Sequence, residues 1–236
     1  MRQIKFFVIV LLASLVAVSC NKDEDQATGV GDAIIVAKKS GNATVYGLSL
    51  YAYTFSAFKT VKAVNSADPG KTYNLASNQG YKTNFYFETA NADFKATKPG
   101  AGTVTFSAVF ENGVTQDFQD VLSDKALGIP VIEKCQFNTT KGMLDVNWTA
   151  LTDADSYAIN ILDGDKTVFG SVELANTVKS YSVSANGGGW ASGFTPESGK
   201  TYTVKLFAFL YESGGNSYNV QATSVAEATA VWGSQP

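Results

Sequence analysis

The 236-residue chain carries 18 basic and 21 acidic residues, is 45% hydrophobic and 12% aromatic, and contains two cysteines and no histidine. With residues 1–19 set aside, 16 lysines face 21 acidic residues, a formal balance of −5, and no arginine remains. A chain without arginine has no bidentate fork for phosphate or guanine, and its negative surface repels nucleic acid, which is therefore not expected as a partner. Without histidine it lacks the usual general base near neutral pH, the commonest transition-metal ligand and the activator of Ser or Cys nucleophiles, so an enzyme is disfavoured and no cofactor is expected.

Arg2 and Lys5 precede an apolar run from Phe6 to Val18, broken only by Ser14 and ending in Ala17-Val18-Ser19-Cys20. A charged leader, an apolar stretch and small residues before a cleavage point are the parts of a secretory signal. Thirteen helical residues reach roughly 20 Å, short of the roughly 30 Å of a bilayer core, so residues 1–19 read as a removable signal and not as an anchor. The segment resembles the lipobox of bacterial lipoproteins, although Ala17 stands where that pattern prefers Leu. The resemblance implies that Cys20 is acylated, becomes the mature N-terminus and holds the protein on a membrane through two or three chains. The cluster behind it, Asn21 with Lys22, Asp23, Glu24 and Asp25, is similar to the export signal of Bacteroidetes surface lipoproteins and implies an outer-membrane protein facing outward. Read from charge alone, residues 20–32 are a solvated acidic tether.

The remaining text is all-β: Val, Thr, Tyr, Phe and Ile recur in short runs parted by Gly, Asn, Asp and Ser, with no sustained stripe at helical spacing. Strands are predicted at about 33–37, 44–55, 59–64, 71–76, 81–88, 103–110 and 114–121, with Asn112-Gly113 as a tight hairpin signal. Ser123 to Pro130 interrupts the pattern, which places one domain at 33–124 and a second at 129–236.

In the second domain Val131 to Phe137 alternates, as do Leu144, Val146 and Trp148, and then Tyr157, Ile159 and Ile161. Asp163-Gly164 supplies a turn, and strands follow at Thr167–Val172, Ser180–Ser184, Thr201–Ala208 and Tyr218–Val231. Trp148, Tyr157 and the run from Pro196 through Tyr202 and Val204 to Ala208 resemble the core Trp, the third-strand Tyr and the sixth-strand entry of a fibronectin type III domain. The resemblance spans about residues 129–232, and Ala185–Phe194 is longer and richer in Gly than the family pattern. Pro99 to Ala108, followed by Glu111, repeats the Pro196 to Ala208 run and its Glu212 weakly. The expected architecture is thus two tandem immunoglobulin-like β-sandwiches, the second fibronectin type III-like.

Candidate sites are few. Asp153, Asp155, Asp163 and Asp165 are close enough to suggest calcium, but their spacing fits no loop pattern and Asp favours turns by bonding its own backbone. Cys135 lies in an alternating segment and reads as a structural thiol. Tyr51, Tyr53 and Phe55 share one face of a strand, read here as the buried face. Trp190 follows Gly187-Gly188-Gly189 and is either folded back over the sandwich end or presented to a partner. With Tyr218 and Trp232 it makes the candidate ligand-binding set, and no catalytic residue is assigned. The expectation is a surface-exposed, lipid-anchored, non-catalytic protein binding a glycan or a protein, for capture or adhesion. The alternatives are a spacer or accessory subunit of an outer-membrane complex and, behind it, a carboxylate-dependent hydrolase.

Overall fold

The computed structural model describes residues 27–78, 80–212 and 219–233. Cys20, Lys22, Asp23, Glu24, Asp25 and Tyr218 lie outside them. The first module is built from β1 (Gly29–Ser40), β2 (Ala43–Thr54), β3 (Phe58–Asn65), β4 (Thr72–Asn78), β5 (Tyr81–Glu88), β6 (Gly102–Phe110) and β7 (Thr115–Leu122). The second contains β8 (Val131–Asn138), β9 (Met143–Thr149), β10 (Ser156–Asp163), β11 (Lys166–Gly170), β12 (Leu174–Ala175), β13 (Ser180–Ser184), β14 (Thr201–Tyr211) and β15 (Val220–Val231). Helix among the described residues is confined to one 3-10 turn at Asn91–Asp93. The protein is all-β.

Each module is a sandwich because its strands alternate one apolar face toward a private core. In the first, Ala33 and Ile35 of β1 and Leu48, Leu50 and Ala52 of β2 face a layer of rings, Phe58, Phe106 and Phe110, from β3 and β6. Strand β4 joins the two layers, pairing with β3 through Thr72–Leu75 and with β5 through Ala76–Asn78. The seam between β7 and β1 is closed by side chains. Gln116 accepts from the Gly29 N–H at 2.9 Å and Asp120 from the Ala33 N–H at 2.7 Å. These bonds satisfy backbone donors that an open edge would leave bare.

The β6–β7 hairpin turns at Asn112-Gly113, where the sequence carries its tight-turn signal. Gly113 takes a φ of 87° and donates to the Phe110 carbonyl at 3.0 Å, while the Phe110 N–H reaches the Val114 carbonyl at 2.9 Å. That is a three-residue loop, with the glycine in the left-handed position it requires.

In the second module, β8, β9 and β13 form one sheet and pack on β10, β11, β14 and β15. Trp148 and Tyr157 meet at 5.5 Å in the core, both essentially inaccessible. Tyr202, also buried, accepts the Glu197 N–H on its hydroxyl at 2.9 Å. This corner bond ties the β13–β14 connection to the start of β14. Tyr202→Phe leaves that N–H without its partner and is expected to lower stability by about 1–3 kcal/mol. It should appear as a lower urea midpoint at unchanged slope.

No sequence pattern announces how the modules are joined. Ile35–Lys38 of β1 pair in parallel with Ala222–Val225 of β15, so the first strand of one module is hydrogen-bonded to the last strand of the other. The result is one continuous sheet, running from β11 through β10, β14, β15, β1 and β2 to β5 and beyond.

Candidate functional site

The two cores lie on the same side of this continuous sheet, so its opposite face is shared by both modules. Period two fixes which residues line it. On β1 the core takes Ala33, Ile35 and Ala37, leaving Asp32, Ile34, Val36 and Lys38 for the other face. On β15 the same logic presents Thr223, Val225 and Glu227, and on β14 Lys205, Phe207 and Phe209. Together with β2 and β10 they enclose a cleft of about 670 Å³.

Aromatic rows form its two sides. Tyr51 and Tyr53 stack at 6.2 Å and 10°, continued by Tyr86 at 6.4 Å from Tyr51. Across β1 and β15, Phe207 and Phe209 stack at 6.2 Å and 9°. The sequence reading put Tyr51, Tyr53 and Phe55 on the buried face, and the structure reverses it. Leu50 and Ala52 are inaccessible, Tyr53 is 43% exposed and Phe55 fully so. Rings from β3 and β6 already fill the first core, so β2 contributes small and aliphatic side chains there and turns its tyrosines outward. At Gly31 a Cβ would collide with the Phe106 ring, which shows how closely that layer approaches β1.

Polar groups are set among the rings. Tyr51 donates its hydroxyl proton to Glu88 at 2.9 Å, and burial together with that carboxylate pushes its pKa up. Lys38 bonds Asn91 at 2.5 Å and sits 3.8 Å above the Phe94 ring. Lys205 pairs with Glu227 at 3.1 Å. Asp32 is the carboxylate among them whose Oδ1 is buried with no hydrogen-bond partner among the described residues. Burial first, then the charges of Asp120 and Glu212, push its carboxyl up to about 7, against weaker pulls from the Val220 and Ala33 N–H groups. At neutral pH it can therefore either donate or accept a hydrogen bond.

The residues singled out from sequence go elsewhere. Trp232 is a correction: expected at a ligand surface, it is 5% exposed and packs on Phe137 at 5.2 Å. Trp190 is half-buried, bridges to Phe169, donates its indole N–H to the Ser184 carbonyl at 2.9 Å and meets Trp232 at 5.5 Å. Of the two placements open to it, the structure takes the plug over the sandwich end. Asp163 pairs with Lys200 at 2.7 Å, and Asp155 accepts the Tyr211 N–H at 2.8 Å, so these carboxylates serve separate local bonds. Burial pushes the half-buried Cys135 thiol up to about 11, which keeps it protonated at neutral pH.

One signal for the cleft was present in the sequence. Ala33-Ile34-Ile35-Val36-Ala37 is apolar at every position, the mark of a strand covered on both faces.

No family model and no curated protein sequence matches the chain. Among solved structures it is similar to fibronectin(III)-like modules of Clostridium thermocellum CbhA, at 10% identity and a TM-score of 0.28 over 86% of this chain and 93% of that one. A tetra-tandem repeat from the extending region of a large adhesion protein aligns at 17% identity and a TM-score of 0.27, over 86% of this chain and 49% of that one. The BSP domain of a biofilm-associated protein aligns at 10% and 0.27, over 93% and 54%. The chain thus spans about half the length of the latter two. At these identities and TM-scores the likenesses carry no function across.

Proposed function

We propose that this is a lipid-anchored, surface-displayed binding protein that captures a glycan in the cleft of the shared sheet face. The observation that carries the reading is the pair of aromatic rows, Tyr51 with Tyr53 and Phe207 with Phe209, flanking a floor that holds Asp32 with its unpartnered oxygen. Sugars offer apolar C–H faces and dense hydroxyls, and a mostly apolar cleft with a few fixed polar groups suits both. The acyl-anchor reading of Cys20 and the outward-export reading of Lys22 to Asp25 support display at the outer membrane.

A glycan array followed by titration of the best binder tests this. Tyr51→Ala and Phe207→Ala are each expected to weaken binding about tenfold or more, a ring contact of this kind contributing on the order of 1–3 kcal/mol. Trp190→Ala should leave affinity unchanged. Absence of any glycan signal at high concentration ends the glycan reading.

Asp32 also favours a second reading. A carboxyl whose pKa is pushed up to about 7, in a cleft that a second carboxylate, Glu88, also lines, is the kind of equipment glycoside hydrolysis uses. Release of reducing ends from a bound oligosaccharide, lost in Asp32→Asn, would replace capture with turnover.

A further inference from the structure

Nine large apolar side chains stand exposed among the described residues, and five of them gather at one end of the first module: Val30, Tyr53, Phe55, Tyr81 and Val114. Strand register brings them together. Gly29 pairs with Thr54, Tyr53 with Asn84 and Phe58 with Phe110, and the Glu111 N–H reaches the Ala57 carbonyl at 2.9 Å. The start of β1, the β2–β3 loop, the start of β5 and the β6–β7 loop therefore share this end. Phe55 is fully exposed and Tyr81 is 64% exposed. A solvated loop tip gains nothing from a phenylalanine there, and apolar clusters at one end of a module mark an interaction surface.

The path of the chain indicates what covers it. Thr54 donates its hydroxyl proton to the Thr28 carbonyl at 2.7 Å, so the first described residues, Ala27 and Thr28, lie at this end, next to the β2–β3 loop that carries Phe55. From residue 20 to residue 27 the chain can span no more than about 25 Å. An acyl group on Cys20 would hold this end, and not the linker end of the module, within that distance of the bilayer. Lys82 and Lys59 stand at the same end, Lys82 bonded to Glu111 at 2.6 Å.

We propose that this end of the first module rests on a lipid surface, with Phe55 and Tyr81 entering the headgroup region. Aromatic side chains with an apolar body, and a polar tip in the case of Tyr, suit that layer. Contact there seats the module on the surface and sets the direction in which the cleft faces. The inference rests on the anchored reading of Cys20 for its geometry, and the experiment separates the two.

The mature chain carrying Cys20→Ser, and so no acyl group, is mixed with vesicles of phosphatidylethanolamine and phosphatidylglycerol and floated on a density gradient. It is expected to partition measurably, and Phe55→Asp with Tyr81→Asp to reduce the partition coefficient about tenfold or more at unchanged melting temperature. Phe55→Trp should show blue-shifted emission that brominated lipids quench. Equal flotation of the parent and the double variant would overturn the proposal, as would a parent that stays wholly in solution. A concentration-dependent dimer in sedimentation, abolished by the same substitutions, would assign the patch to a second copy and overturn it equally. Mass spectrometry of the N-terminal peptide from native membranes decides the anchor independently.

Discussion

Trp148→Ala is expected to cost about 3–5 kcal/mol, the largest effect of any single substitution considered for this protein. The ring is 1% exposed, lies against Tyr157 at 5.5 Å and belongs to the core of the second module, so its removal leaves a large void there. Its Nε1 has no hydrogen-bond partner among the described residues, so the indole is held by packing rather than by a polar bond. Trp148→Phe, which keeps much of the ring and removes the unpartnered N–H, should therefore cost far less, about 1–2 kcal/mol. The consequence extends beyond one module because β1 is paired to β15. All three tryptophans, Trp148, Trp190 and Trp232, belong to the second module, so their fluorescence follows that module while far-ultraviolet circular dichroism follows both. If the parallel pairing couples the two cores, the probes will give coincident transitions that move together in Trp148→Ala. Two separated transitions, with only the fluorescent one shifted, would show that the modules unfold independently.

Asp32→Asn is expected to stabilise the protein at about pH 8 by roughly 2–4 kcal/mol and to have no effect below about pH 4. The carboxyl titrates near 3.8 when the chain is unfolded and near 7 when it is folded, because burial and the neighbouring Asp120 and Glu212 disfavour its anion. Between these values the folded protein holds a proton that the unfolded chain has released. The native state's advantage is therefore complete below the lower value, declines as pH rises and is gone above the upper one. The amide cannot ionise, so the variant escapes this decline. Urea midpoints at several pH values would reveal it, and parallel profiles for the two proteins would contradict the buried-carboxyl account. A gain in stability from removing a charge in a cleft is also what a binding site predicts, since such groups are retained for ligands at the expense of the fold.

The strands were legible because their information is local. Alternation at Leu144, Val146 and Trp148 and at Tyr157, Ile159 and Ile161 reappears as the inward faces of β9 and β10. The Pro196–Ala208 run became the corner and strand holding Tyr202. Apart from the all-apolar run Ala33–Ala37 of β1, the cleft was not legible, because it depends on which of two apolar faces each strand turns inward. On β2 both faces are apolar, one aliphatic and one aromatic, and period two cannot rank them. The first core decided the matter, since Phe58, Phe106 and Phe110 face the aliphatic Leu48, Leu50 and Ala52 of β2. Trp232 was misplaced because its partners are distant in sequence: the Lys200 carbonyl accepts its N–H and its ring packs on Phe137.

The sequence by itself determined an all-β chain, the positions of most strands and turns, and the core of the second module, all of which follow from side-chain periodicity and turn chemistry within a few residues. Only the tertiary structure decided that β1 pairs with β15, that both cores lie on one side of a shared sheet, and that Asp32 and the aromatic rows meet across it. Those outcomes join residues nearly two hundred positions apart. They are set by how layers fill space and satisfy backbone edges, which no local pattern encodes.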